Sequence, residues 1–447
     1  MSKLNIVYDI CMRKVGVIVG ALVGLLVTGG GLTYGVHVLP PSQQAGAAES
    51  FKTQEEADKY VRFVMEGYDI IQEQYWQKAS DDKFAGHFKL SLEKAAATSS
   101  SIKAADRASA AKMFATIFNQ LPNDEEKKKV AVGTLQVALY NLAPAGRNQL
   151  LSAEEQQAVQ ETVKNINPAS DLYSELGVSA SASRSEIQTA YEEKKEELAI
   201  DPDSEEKLAR AEYVHNVLTN DSTRARYDES KAEPTVFSET YDSTLYISIG
   251  RMSPVTVSEF TAILADASST PLSSMIIDLR GNIGGALDQI PNFLGLFLGI
   301  HQYVFDLYHQ DNFEVIRSPV GKLAELDRYK EIAILTDNMS QSSAEVFAAA
   351  MKRFNLATVV GTNTRGWGTV EGTYQIETEI DPATKYNLML VYALTLRDDN
   401  QSIDGVGVEP DISVNETDWK SKVPLRFRSQ SLIDATKETL SVPPLKK

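Results

Sequence analysis

Residues Val15 to Leu39 contain no Asp, Glu, Lys or Arg, and no other feature restricts the fold as sharply. As a helix, these 25 residues would reach about 37 Å at ~1.5 Å per residue, enough to cross the hydrocarbon of a bilayer. Arg13 and Lys14 precede the run, and Glu49, Glu55, Glu56 and Asp58 follow it. Positive charge stays on the cytoplasmic side, so the expectation is a cytoplasmic tail over 1–14, a transmembrane anchor over 15–39 and the bulk of the chain outside the cytoplasm. A cleaved signal peptide is the alternative, because Ala45-Gly46-Ala47 fits a small-residue cleavage site. The distance of that site from the densest apolar stretch, Val15–Thr28, favours a retained anchor. Gly16, Gly20 and Gly24 share one helix face, a spacing that lets two anchors pair as a homodimer. Glycine is also common in membrane helices generally.

Beyond this run the chain is globular in character. Its 447 residues are 43% hydrophobic and 23% charged, room for two to four domains. The net charge is −17. Residues 1–47 hold Lys3, Arg13, Lys14 and Asp9, so the acidic excess lies wholly in the remainder. That acidity argues against nucleic acid as a partner, since phosphate binding needs a basic face. Cys11 is the only cysteine, which leaves the rest of the chain with neither a disulfide nor a thiolate metal site. No metal or cofactor is expected.

A short linker, 40–50, leads to a helical region over 51–167. Tyr60, Phe63, Val64, Tyr68, Ile71 and Tyr75 recur at helical spacing, and two more apolar-periodic runs cover 104–121 and 126–142. Ser152 and Glu155 form a capping-box pattern. Nothing here points to chemistry, and His87 reads as a surface or half-buried residue. Residues 168–231 are more distinctive. Leu172-Tyr173 with Leu176-Gly177-Val178, then Ser185-Glu186-Ile187 through Ala190-Tyr191, Val217-Leu218 and the closing Arg226-Tyr227-Asp228 together resemble a J-domain. That resemblance implies a His-Pro-Asp turn and a basic second helix. The turn here reads Asp201-Pro202-Asp203, and the second helix sets Glu192, Glu193, Glu196 and Glu197 against Lys194 and Lys195. The module is expected to be a spacer or docking unit without co-chaperone action.

From 232 to 420 strands alternate with helices. Strand-like runs at 244–250, 273–279, 331–337, 356–362 and 386–396 flank helical stretches at 256–267 and 342–354, the pattern of an α/β domain with a mixed sheet and flanking helices. Residues 421–447 read as a C-terminal tail. A serine at a strand-to-helix junction, as in "DNMSQSSAEVF", sets its hydroxyl beside free backbone N–H groups that suit an oxyanion. Gly284 and Gly285 let backbone approach a substrate carbonyl. Taken singly, the serines would cap a helix and the glycines would make a turn.

Together with their neighbours, these stretches resemble the carboxyl-terminal processing, or tail-specific, serine peptidases over about 230–415. "DLRGNIGG" (278–285), "SQSSAE" (340–345), "VVGTNTRGWGTVE" (359–371) and "GVGVEPDISV" (405–414) match that family's motifs in order. A PDZ domain usually stands where the J-like module does here. The resemblance implies a polypeptide substrate or peptide ligand, with Ser342 as nucleophile and Ser343 and Gly284 or Gly285 as oxyanion donors. It implies a base lysine at position 367, where this chain has Trp367. Glu371 stands where an orienting glutamine is usual, and Arg353 where an acid is usual. An indole N–H only donates, so it cannot take the serine proton. Lys352 lies along the helix about 15 Å from Ser342, and Arg365 stays protonated. His301 and His309 belong to a surface hairpin. Glu371 is the remaining base candidate, since a carboxylate in a dry site can accept a proton. Two readings stay open: a serine endopeptidase with weakened or lost activity, and a pseudoprotease that binds peptide as a scaffold or adaptor.

Overall fold

A computed structural model describes residues 25–27, 52–166, 171–198, 204–397 and 401–444. Its strands, in chain order, are β1 (Leu25–Val27), β2 (Gln149–Ser152), β3 (Val236–Tyr241), β4 (Thr244–Ile249), β5 (Ser274–Asp278), β6 (Tyr303–His309), β7 (Asn312–Arg317), β8 (Glu331–Thr336), β9 (Thr358–Gly361), β10 (Thr369–Gln375), β11 (Tyr386–Leu396) and β12 (Ile412–Ser413). Two compact units are present. One comprises 1–159, 307–314 and 369–394, the other 160–306, 315–368 and 395–447.

The first unit is built on the helices Lys59–Gln74, Asp81–Ala95, Arg107–Phe118 and Asp124–Tyr140. Asp58 starts the first of them by accepting the Tyr60 and Val61 N–H groups. Tyr60, Phe63, Val64, Tyr68 and Ile71 then fall on its buried face, as their spacing predicts. The helical core is completed by residues far along the chain, with Ile376, Ile380, Leu388, Leu390 and Val391 packing into it. One sheet runs β1-β10-β11-β6-β7, with β2 also on β11. Gln310 and Asp311 carry φ of 46° and 67°, the left-handed pair that a two-residue hairpin turn needs. Gln310 also caps the first helix, donating from Nε2 to the Gln72, Glu73 and Tyr75 carbonyls. His309 and His301 thus lie on a hairpin, as expected. His87 is half-buried against the Ala138 carbonyl.

The second unit carries a sheet in the order β12-β9-β8-β5-β4-β3, parallel except for the β3–β4 hairpin. Every residue of β4 and β5 is buried, which is why neither shows the polar alternation of a half-exposed strand. Residues 421–447 do more than trail. Helices Trp419–Arg426 and Gln430–Thr439 press Val423, Phe427, Leu432, Ile433 and Ala435 against Tyr246, Ile276, Ala333 and Leu335 of the sheet. Elsewhere the helices Thr256–Asp266, Ile290–Leu298 and Ser343–Arg353 meet through Phe260, Phe293 and Phe347, with ring centroids 4.6–4.7 Å apart. Residues 171–230 form a four-helix module with its own core of Leu172, Tyr173, Ile187, Tyr213, Val214 and Tyr227. Arg210 ties it down, bonding both Glu175 and Glu233. The Asp201-Pro202-Asp203 turn lies outside the described residues.

The expected anchor is corrected in part. Leu25–Val27 is extended, pairing in parallel with Val370–Gly372 of β10, so its main-chain groups are met by a neighbouring strand and not by its own helix. The rest of 15–39, with Gly16, Gly20 and Gly24, lies outside the described residues. Among the described residues no helix is long and apolar enough to cross a membrane.

Candidate active site

The Ser342 turn is assembled from two strand ends. β8 stops at Thr336, and a short turn leads into the helix Ser343–Arg353. One oxygen of Asp337, Oδ1, accepts the N–H groups of Met339, Ser340 and Gly281 at 2.9–3.0 Å. Ser340 Oγ donates to the Leu279 carbonyl, and the Gln341 N–H donates to the Asn282 carbonyl. The 278–285 turn and the 337–342 turn are therefore laced together. Below them, Asp278 is fully buried and takes both the Arg280 guanidinium and the Tyr246 hydroxyl. At the apex Ser342 adopts φ 59°, ψ −127°. That conformation costs a non-glycine residue about 1–3 kcal/mol and persists only where the surroundings over-determine it. Ser342 is 1% exposed, and its Oγ, like that of Ser343, is buried with no hydrogen-bond partner among the described residues.

The two glycines do different work. A β-carbon on Gly284 would lie 2.6 Å from Ser342 Cβ and 3.1 Å from its Oγ, so only glycine lets the turn pass this close. Its N–H, however, donates to Asn282 Oδ1 at 2.8 Å. Gly284 is thus not the available oxyanion donor, because a buried amide already committed to an acceptor cannot also serve a ligand. Around Gly285 the bridge to Met252 uses the Gly284 carbonyl and the Ala286 N–H. The Gly285 N–H is left as the glycine donor, together with the Ser343 N–H in the first turn of the helix.

Glu345 fixes the segment that bears Trp367. Its carboxylate is fully buried. Oε2 accepts the Ser342 N–H at 2.8 Å and the Trp367 N–H at 2.7 Å; Oε1 accepts the Gly366 N–H at 2.7 Å and the Thr364 hydroxyl. Burial pushes the Glu345 carboxyl above its ordinary range, and these four donors pull against that rise. Trp367 itself is 8% exposed. The other residues near this position in sequence are engaged elsewhere. Lys352 Nζ bonds the Glu409 carbonyl and pairs with Asp411, Arg353 stacks over Tyr303 at 4.7 Å, and Arg365 is exposed. Asn282 and Glu345 stand within the matched motifs without a role being assigned to them, and nothing in the sequence points to the part Thr364 and Asp337 play. The only local signal for Glu345 was its place three residues into a helix that opens at Ser342.

Glu371 belongs to the first unit, on β10 beside a register shift between Val370 and Glu371. It is 1% exposed. Its Oε1 accepts the Thr369 hydroxyl at 2.6 Å, and Arg147 Nη1 donates to that hydroxyl at 2.7 Å. Among the described residues no cluster of His, Cys, Asp and Glu could hold a metal ion.

The model of "Peptidase family S41" matches residues 243–414, which takes in the Gly284–Gly285 turn, Ser342 and Trp367. Over these residues the chain is similar to peptidase family S41. Among curated relatives, the "Probable CtpA-like serine protease" of Staphylococcus aureus (strain N315) is 29% identical over 175 residues, 39% of this chain and 34% of that one. Its namesake from Staphylococcus haemolyticus is 29% identical over 202 residues, 45% and 39% of the two chains. The chain thus spans between a third and two-fifths of the length of these relatives. A lipoprotein of Streptococcus agalactiae aligns over 86% of this chain and 96% of its own, at 13% identity and a TM-score of 0.42. A photosystem II D1 C-terminal processing protease aligns over 41% and 49%, at 14% identity and a TM-score of 0.35.

Proposed function

We propose that this S41-type domain engages polypeptide at the Ser342 turn and turns it over slowly or not at all, acting as a peptide-binding scaffold. The observation that carries this reading is the Ser342 hydroxyl, which is buried with no acceptor for its proton among the described residues. A serine becomes a useful nucleophile only when a neighbour takes that proton. Trp367 occupies the position where the tail-specific resemblance implies the base, and an indole accepts none. A fluorophosphonate probe tests the reading, with Ser342→Ala as control. Little Ser342-dependent labelling is expected in the wild type; strong labelling would overturn it.

A second reading, a serine endopeptidase of the C-terminal processing type, is favoured by one observation. Ser342 keeps the strained φ/ψ expected of a presented nucleophile, with Ser343 and Gly285 N–H groups free to serve as oxyanion donors. Both readings place the bulk of the chain outside the cytoplasm, from the charge asymmetry around 15–39, with the 171–230 module as a spacer. Protection of the module from protease added to spheroplasts would sink this placement. ATPase stimulation by the chain that vanishes in Asp201→Ala would sink the spacer role.

A further inference from the structure

The edges of the two sheets are treated differently. In the second unit one edge, β12, is two residues long. The other, β3, has Ser238, Glu239 and Thr240 exposed at its centre. Short and polar edges resist pairing with other chains. β7 ends the other sheet with the sequence Asn-Phe-Glu-Val-Ile-Arg and no Lys or Pro to blunt it. Among the described residues no strand pairs with its outer side. Phe313 is 60% and Val315 48% exposed, and Arg317 is exposed on the same side of the strand.

The hairpin fixes which main-chain groups face outward. A two-residue turn at Gln310-Asp311 makes His309 and Asn312 a hydrogen-bonded pair. Hydrogen-bonded and non-hydrogen-bonded positions then alternate along the strands. Asn312, Glu314 and Ile316 turn their N–H and C=O groups towards β6. Phe313, Val315 and Arg317 turn theirs away.

We propose that β7 is a self-recognition edge, where two copies of this chain pair antiparallel across a two-fold axis at Val315. An isologous interface must be self-complementary, and one register satisfies that here. With Val315 opposite the second copy's Val315, Phe313 faces the second copy's Arg317 and the reverse pair repeats it. Every outward N–H and C=O of Phe313, Val315 and Arg317 then finds a partner. On the exposed face, an apolar pair is flanked by two guanidinium–ring contacts. Arg317 also donates from Nη1 to the His301 carbonyl, which uses one of its five donors. Sliding by one residue in each copy sets Glu314 against Glu314, like charges directly opposite.

The full chain in mild detergent is suited to the test, read by sedimentation. Val315→Pro removes an outward N–H and no hairpin bond. The wild type is expected to dimerise, and Val315→Pro to weaken the dimer at least tenfold with the thermal midpoint unmoved. Cysteine pairing gives a readout that does not depend on the proline variant folding. In a Cys11→Ser background, Val315→Cys should form an intermolecular disulfide, since hydrogen-bonded antiparallel partners lie ~5.5 Å apart at Cα. Phe313→Cys alone should not, with its two copies about 14 Å apart. The double change Phe313→Cys, Arg317→Cys should. A monomeric wild type would overturn the proposal. So would a dimer that survives Val315→Pro and yields no Val315→Cys disulfide, which would place association elsewhere in the chain.

Discussion

The Ser342 turn and the Trp367 segment face the same demand and meet it with different atoms. At Ser342 the geometry depends on side chains and on glycine. Asp337 gathers three N–H groups, and Gly284 leaves room that a β-carbon would fill. At Trp367 the geometry is held through the main chain, because Glu345 grips the N–H groups of Gly366 and Trp367 and makes no use of the indole. The difference explains how a base can be exchanged for an indole while the frame around it survives. Backbone is pinned independently of what residue 367 carries, so frame and chemistry can be lost separately.

The largest expected effect comes from the side of the comparison that glycine sustains. A β-carbon on Gly285 would sit 1.9 Å from the Met252 carbonyl oxygen, at a φ of 139° that side chains rarely adopt. Gly285→Ala should cost roughly 3–5 kcal/mol and be seen as a large fall in the denaturation midpoint. A midpoint within ~1 kcal/mol of wild type would mean that the turn is not held as tightly as its contacts imply.

Next comes Glu345→Gln. A glutamine offers one acceptor oxygen where Glu345 offers two, and its amide would meet N–H donors head-on. Stranding buried donors costs about 1–3 kcal/mol each, so a loss of ~2–4 kcal/mol is expected. The pH dependence has a definite sign. The folded carboxyl is raised above its unfolded value, so the folded state holds this proton more tightly. Stability from this group is fully present below the unfolded value near 4.5 and is lost as pH rises through the folded one. The gap between wild type and Glu345→Gln should therefore widen as pH falls from neutral towards 4.5. A gap that narrows would show Glu345 to be a stabilised carboxylate with a lowered value.

These residues also mark where the sequence was readable. β4 and β5 stand out as short, mostly apolar strand-like runs, and Ser342 and the two glycines stand out through motif order. β10 does not, because Thr-Val-Glu-Gly-Thr-Tyr-Gln carries a charge and a glycine inside a strand. The 430–439 helix hid for a similar reason: its buried Leu432, Ile433, Ala435 and Thr436 are interleaved with polar residues. The grip of Glu345 on residues 364–367 spans about twenty positions of chain, and no local pattern encodes a contact of that range. The capture of the Gly284 N–H by Asn282 is local, yet the motif names both residues without saying which atoms meet.

Trp367→Lys sharpens the comparison from the other side. If the main chain is held as described, a lysine enters a segment already in place. Exchanging a buried indole for lysine should lower stability by ~1–3 kcal/mol through lost packing. Fluorophosphonate labelling of Ser342 should nonetheless rise, by about tenfold or more, since general-base assistance contributes ~10²–10⁴-fold where it is well placed. Gly284 limits the gain, because its N–H stays with Asn282. Unchanged labelling in a folded variant would mean that the frame was lost along with the base.

The smallest expected effect is that of Glu371→Gln. The carboxylate accepts the Thr369 hydroxyl through Oε1, and a glutamine carbonyl can accept that bond equally well. Arg147 still donates to Thr369, so the local hydrogen-bond chain should persist. If Ser342 has no base in the wild type, removing this charge takes nothing from its reactivity. Labelling should stay within about twofold, and the thermal midpoint should move by less than the equivalent of ~1 kcal/mol. The opposite outcome is the informative one. Strong wild-type labelling that disappears both in Ser342→Ala and in Glu371→Gln would make the pair a serine–carboxylate enzyme. The change at residue 367 would then have moved the base and not removed it, and the peptide-binding reading would give way to the endopeptidase.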